Sequence, residues 1–129
     1  MPGGGTFQLL PGQVTDDSEM ALHMLQALVN YDPKVSIETQ LPKLTLSIAK
    51  QYVQWLQNIP FDIGITTRSA LAQLEHYLAH STTLERDTKN LHTAFAEIKT
   101  HNERSMSNGF LMRITPMACF ITLLTMQDK

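Results

Sequence analysis

The sequence predicts an all-α helical bundle. Three observations carry that prediction. Apolar residues recur at three- and four-residue intervals along most of the chain, capping residues and prolines punctuate those stretches, and no segment alternates apolar and polar residues as a strand would. There is no internal repeat and no low-complexity tract.

Residues 1–14 read as loop, because Gly3-Gly4-Gly5 and Pro11-Gly12 break any regular element and only Phe7, Leu9 and Leu10 could anchor the segment. A first helix is predicted from about Asp17 to Asn30. Met20, Met24 and Leu28, with Ala21 and Leu25, form its apolar face, and His23, Gln26 and Asn30 fall on the other. Pro33 and Pro42 bracket a linker in which no helix is expected. A second helix is predicted over about Leu44 to Gln57. Leu44, Ile48 and Trp55 with Ala49, Val53 and Leu56 line one side, and Asn58-Ile59-Pro60 ends it. Thr66 or Thr67 should cap a third helix, in which Leu71, Leu74 and Leu78 keep helical spacing. A fourth, about Thr83 to Lys99, carries Leu84, Leu91, Phe95 and Ile98 on a polar background. After a polar loop, Thr115 as N-cap and Pro116 at the first helical position open the last helix. From Phe110 to Met126 the chain is apolar on every side, a pattern that belongs inside a larger core. It predicts exposed apolar surface and self-association through this helix, with Cys119 as a buried small hydrophobe.

At 129 residues the chain fits one domain with a modest core. The net charge is −2 with both signs scattered, so no basic stripe suggests nucleic acid and no polybasic helix suggests a membrane surface. The apolar run from Met117 to Met126 falls short of the roughly 20 residues that span a bilayer. A single cysteine excludes a disulfide framework within the chain, and the start lacks the basic and apolar regions of a signal peptide. A cytoplasmic protein is the expectation.

Thr15-Asp16-Asp17-Ser18-Glu19-Met20 is the stretch richest in chemistry. It sets a hydroxyl and two adjacent carboxylates at the mouth of the first helix. Two neighbouring anions favour a compensating cation, and hard oxygen donors suit Mg²⁺ or Mn²⁺. A second reading is as economical: Asp16 followed by Glu19 nearly matches a capping box, which would turn these side chains onto backbone amides.

Three blocks together resemble the ADP-ribosylglycohydrolases related to the dinitrogenase-reductase-activating enzyme. The first runs from Gly3-Gly4-Gly5 through Pro11-Gly12-Gln13-Val14-Thr15-Asp16-Asp17-Ser18-Glu19-Met20. The second spans Tyr52 to Leu71 with Trp55, Pro60-Phe61-Asp62-Ile63-Gly64 and Thr66-Thr67-Arg68. The third is Ser105-Met106-Ser107-Asn108-Gly109-Phe110-Leu111-Met112-Arg113-Ile114-Thr115-Pro116. The resemblance implies that residues 1–129 form part of a larger all-α domain with a two-ion Mg²⁺ or Mn²⁺ centre. It also implies removal of ADP-ribose from a modified protein or small molecule. The family's leading glycine-rich helix with its acidic residue, and its closing Asp-x-Asp-Thr segment, have no counterpart here, so hydrolysis by this chain alone is not expected.

By the same resemblance Thr15, Asp16 and Asp17 are metal ligands, with Asp16 central to catalysis. Asp62 is a catalytic or ribose-binding carboxylate, with a plain loop residue or a partner of Arg113 as the alternative. Ser105, Met106, Ser107, Asn108 and Gly109 form a substrate loop whose backbone N–H groups could cradle a diphosphate, against the alternative of an ordinary Asn-Gly turn. Arg113, inside an apolar segment, is expected to pair with a carboxylate. His76 and His80 lie one turn apart but lack a third ligand. A non-catalytic ADP-ribose-binding or interaction module is the alternative function.

Overall fold

The computed structural model describes residues 3–6, 8–79 and 83–127, and the expectations for Phe7, His80 and Asp128 fall outside them. It contains six helices: α1 (Asp16–Leu28), α2 (Ile37–Gln57), α3 (Ile65–Leu78), α4 (Leu84–His101), the single turn α5 (Gly109–Met112) and α6 (Thr115–Gln127). Among the described residues there is no strand, only one isolated antiparallel bridge between Gly4 and Leu9. That bridge brings the Leu9 carbonyl so near Gly3 that a Cβ there would sit 2.3 Å from it, which explains glycine at this position.

Helix α2 is the hub. It packs against α1 on one side and against α3 and α4 on the other, while α6 lies on α1. Leu46, Ala49 and Val53 meet Leu74 of α3 and Leu91 of α4 in one core. Trp55 comes roughly two and a half turns after Leu46 and therefore faces the opposite way. There it joins Met20 and Leu71, with Tyr52, Leu56 and Ile63 packed around them. The single apolar side expected for α2 is thus two sides, because the helix is sandwiched. Burying Met20 or Trp55 so fully contributes about 1.5–3 kcal/mol each before entropy is counted.

Pro42 lies inside α2, which begins seven residues earlier than the sequence predicts. The reason is local. Gln40 ties down the preceding loop, with its Nε2 donating to the carbonyls of Asp32 (2.8 Å) and Val35 (2.7 Å) and its Oε1 accepting from Asp32 N–H (2.9 Å). That network holds residues 37–41 helical, and Pro42 removes only one intrahelical bond. Two caps also differ by one to three positions. Gly64, not a threonine, precedes α3, and Thr115 is already inside α6. Thr83, predicted as the first helical residue, instead caps α4, its hydroxyl accepting from Arg86 N–H at 3.3 Å.

Asp87 of α4, only 4% exposed, is ion-paired with Lys50 of α2. Sequence pattern gave no sign of it, because a carboxylate on a polar helix reads as a surface group. Cys119 is exposed rather than buried, because α6 packs chiefly on α1, which covers one face of it. Ile121, Leu123 and Met126 stay open, as do Phe110, Leu111 and Met112 before them.

Replacing Pro42 by Ala restores the missing bond, while the unfolded chain gains freedom. The net expectation is a stabilisation of about 1–2 kcal/mol. Urea unfolding should show a higher midpoint with an unchanged slope. An unchanged or lower midpoint would mean that the proline is accommodated without cost.

Candidate functional site

The first turn of α1 is built differently from a capping box. Thr15 occupies the N-cap with extended backbone, and its carbonyl accepts from the amides of Ser18 and Glu19, both at 3.1 Å. Its side chain makes no capping bond. Glu19, the residue that would complete the box, turns the other way, and its Oε2 accepts from the indole Nε1–H of Trp55 at 2.7 Å. Trp55 is 3% exposed, so its N–H must find a protein acceptor, and this bond pins the start of α1 to α2.

Thr15, Asp16 and Asp17 are half-buried, and the Asp16 carboxylate accepts from the Asp17 amide at the start of the helix. Burial, the charge of Asp17 and the charge of Asp62 together push the Asp16 carboxyl above its ordinary value, with the Asp17 amide and Arg113 opposing. Asp62, on the link between α2 and α3, is therefore in electrostatic reach of Asp16, although the two are far apart in sequence. Hard donors under mutual repulsion fit a divalent cation in chemistry and in charge. Their arrangement is open, however. Among the described residues no three His, Cys, Asp or Glu side chains converge as a ready-made metal group.

Arg113 is not in a close ion pair. Among the described residues the one salt bridge is Lys50–Asp87. The Arg113 guanidinium instead donates to the Met20 sulfur at 3.3 Å and lies 5.9 Å from the Tyr52 ring centroid. Burial pushes the Tyr52 phenol up, with Arg113 opposing, and its hydroxyl is buried without a hydrogen-bond partner. Arg113, expected from the sequence to pair with a carboxylate, thus lies beside the site together with Tyr52, to which the sequence assigned no role. The available signal was a cation within an apolar run, which must find aromatic or anionic company.

The loop before α5 is brought to the start of α3. Ser105 Oγ and Thr66 Oγ1 are 3.1 Å apart, and Ser107 N–H donates to Ser105 Oγ at 3.3 Å. Asn108 accepts through its carbonyl from Leu111 N–H at 2.9 Å, while its side chain makes no hydrogen bond among the described residues. Met106 is 97% exposed and packs against nothing here. A Cβ at Gly109 would meet Ser107 and Thr67 only at ordinary contact distances, so the protein's own packing does not require glycine. The His76–His80 pair lies partly outside the described residues, and the ring of His76 packs edge-on against Tyr77.

The sequence profile of the ADP-ribosylglycohydrolases matches residues 1–128. The chain belongs to the ADP-ribosylglycohydrolase family. It is 31% identical over 121 residues to an ADP-ribosyl-[dinitrogen reductase] glycohydrolase of Rhodospirillum rubrum, a match covering 92% of this chain and 31% of that protein. The protein of Acanthamoeba polyphaga mimivirus named "Putative ADP-ribosyl glycohydrolase L543" is 31% identical over 112 residues, 87% of this chain and 27% of its own. An ADP-ribosylarginine hydrolase of Serratia proteamaculans is 34% identical over 88 residues, 62% of this chain and 20% of its own. This family member thus spans about a third or less of each relative's length. No solved structure gives a significant match. The all-helical architecture agrees with the family's fold, and no helix among the described residues is long and apolar enough to cross a membrane.

The raised Asp16 carboxyl has a sign that can be tested. Because its folded value exceeds the ordinary 3.8, ionising Asp16 works against folding as pH rises through the carboxylate range. Asp16→Asn should melt at a higher temperature than the parent at neutral pH. That advantage should vanish below 3.8, where Asp16 carries its proton in both states. A variant that melts lower at neutral pH would refute the repulsion described here.

Proposed function

We propose that this chain forms one wall of an ADP-ribosyl hydrolase centre that acts on the glycosidic bond of an ADP-ribosylated protein or small molecule. The observation that carries the reading is the mouth of α1: half-buried Asp16 and Asp17 behind a Thr15 that makes no capping bond, with the charges of Asp17 and Asp62 close enough to raise Asp16. Thr15, Asp16 and Asp17 would hold Mg²⁺ or Mn²⁺ through oxygen. Such ions supply Lewis-acid polarisation of oxygen ligands.

The chain's own residues do the rest. In hydrolysis a water oxygen bonds to the anomeric carbon, the bond to the leaving nitrogen or oxygen breaks, and the leaving atom takes up a proton. Asp62 would hold a ribose hydroxyl or deliver that proton. The Ser105–Gly109 loop would seat the diphosphate on backbone N–H groups, with the unengaged Asn108 side chain beside it and Gly109 leaving room that the protein's own packing does not need. The linkage cleaved by the Serratia relative, to arginine, is one candidate for the bond.

A second reading is favoured by one observation, the absence of a convergent three-carboxylate group among the described residues. On that reading the 129-residue chain binds ADP-ribose without turning substrate over. A few oxygen donors give a weak site for ions that keep much of their water.

Titration with Mn²⁺, followed by water relaxation, should show saturable binding that Asp16→Ala weakens by about tenfold or more. Mn²⁺ binding unaffected by that substitution would sink the metal assignment. In the same preparations the 129-residue chain should release no ADP-ribose from ADP-ribosylated protein, and steady release would show that these residues suffice for turnover. Self-association through the open face of α6 is a further part of this proposal. Light scattering at rising concentration should show species above 14.5 kDa, and a strict monomer would exclude it.

A further inference from the structure

Arg113 follows the single turn of α5 and is the one charged residue between Phe110 and Gln127. It is half-buried. A guanidinium in such a place ordinarily spends its five N–H groups on carboxylates or carbonyls. This one does not. Among the described residues its side chain makes one hydrogen bond, from Nη1 to the Met20 sulfur at 3.3 Å, and sulfur is a weak acceptor. Its other partner is the Tyr52 ring, 5.9 Å away at the centroid, and it forms no ion pair there.

Those two contacts set the charge beneath the mouth of α1. Met20 lies one turn after Asp16 on the same face of the helix, about 6 Å along its axis. Tyr52 and Ile63 pack around the buried cluster that holds Met20, and Ile63 adjoins Asp62 in the chain. The guanidinium therefore sits among the supports of both Asp16 and Asp62 without touching either carboxylate. Its charge reaches Asp16 all the same, where it opposes Asp17 and Asp62.

We propose that Arg113 is a positioning residue for the acidic mouth: a resident counter-charge, parked on the Met20 sulfur and the Tyr52 ring, that lowers the affinity of Asp16 and Asp17 for a divalent cation. As a limit on cation binding this rests on the hydrolase reading above. As the counter-charge of Asp16 it stands without that reading.

The two sides of the claim have opposite signs. With no ion bound, the guanidinium offsets part of the repulsion that Asp17 and Asp62 exert on Asp16. With an ion bound, it repels that ion, and a divalent cation feels twice the force that a monovalent one does. Removing the charge should therefore cost the ion-free chain stability and give the ion-bound mouth affinity. A residue that merely held α5 against α1 would lower both.

Mn²⁺ affinity, read by water relaxation, should rise at least about threefold in both Arg113→Met and Arg113→Gln, and should not rise in Arg113→Lys. Met keeps an apolar stem over Tyr52, Gln keeps an amide donor for the Met20 sulfur, and Lys keeps the charge. The gain should shrink as KCl is raised from about 0.05 M to about 0.5 M, because salt screens it. A second measurement needs no metal. Asp16→Asn should raise the melting temperature at least about 2 °C more in an Arg113→Met background than in the parent, since Asp16 there lacks its opposing charge. The Trp55 indole resonance in a ¹H–¹⁵N spectrum, bonded to Glu19, checks that each variant keeps the packing of α1 on α2. A gain shared by Arg113→Lys, or melting shifts that simply add, would overturn the assignment. If the parent binds Mn²⁺ and the two neutral variants bind it no tighter, the limit on cation binding falls and the hydrolase reading stands. If none of these chains binds Mn²⁺ while the melting shifts are coupled, the metal site falls and Arg113 remains the counter-charge of Asp16.

Discussion

The hydrogen bond from the Trp55 indole to Glu19 governs the rest of this structure. A buried N–H left without a partner costs about 1–3 kcal/mol, so Trp55 can occupy the core beside Met20 and Leu71 only if an acceptor comes with it. Glu19 supplies that acceptor and is thereby withdrawn from the helix end. The start of α1 is fixed on α2, and the carboxylates one turn earlier are set toward the link that carries Asp62. One core residue thus decides where the acidic mouth of α1 points.

Charge at that mouth is balanced incompletely. Asp16 feels the charges of both Asp17 and Asp62, and the cation that opposes them, Arg113, donates to the Met20 sulfur and lies beside the Tyr52 ring. An arginine in direct contact with Asp16 would have quenched the repulsion and occupied the space. Held over Tyr52, it moderates the field without filling it. Residual repulsion of this kind works against stability, and sites kept for ligands characteristically retain it.

The helices divide by how well they are covered. The two-sided burial of α2 and the Lys50–Asp87 bridge make α2, α3 and α4 a packed unit. Helices α5 and α6 are different. Many of their apolar side chains remain open, and Tyr31, just past the end of α1, packs edge-on against Phe120 at 5.1 Å. An apolar groove between α1 and α6, lined by Leu25, Val29 and Leu123 among others, marks the same deficit of cover.

By itself the sequence determined the helical class, the bounds of α1, α3 and α4 to within a few residues, and the blocks that carry the family. These follow from apolar spacing and from chemistry written in contiguous residues. Only the tertiary structure decided what depends on meetings between distant segments. It chose Trp55 over the backbone as the partner of Glu19, Tyr52 and Met20 over a carboxylate for Arg113, and burial over the surface for Asp87. It also carried α2 through Pro42, because Gln40 binds a loop eight residues back. Local pattern states what a residue can bond to, and the packed fold settles which of the competing partners arrives.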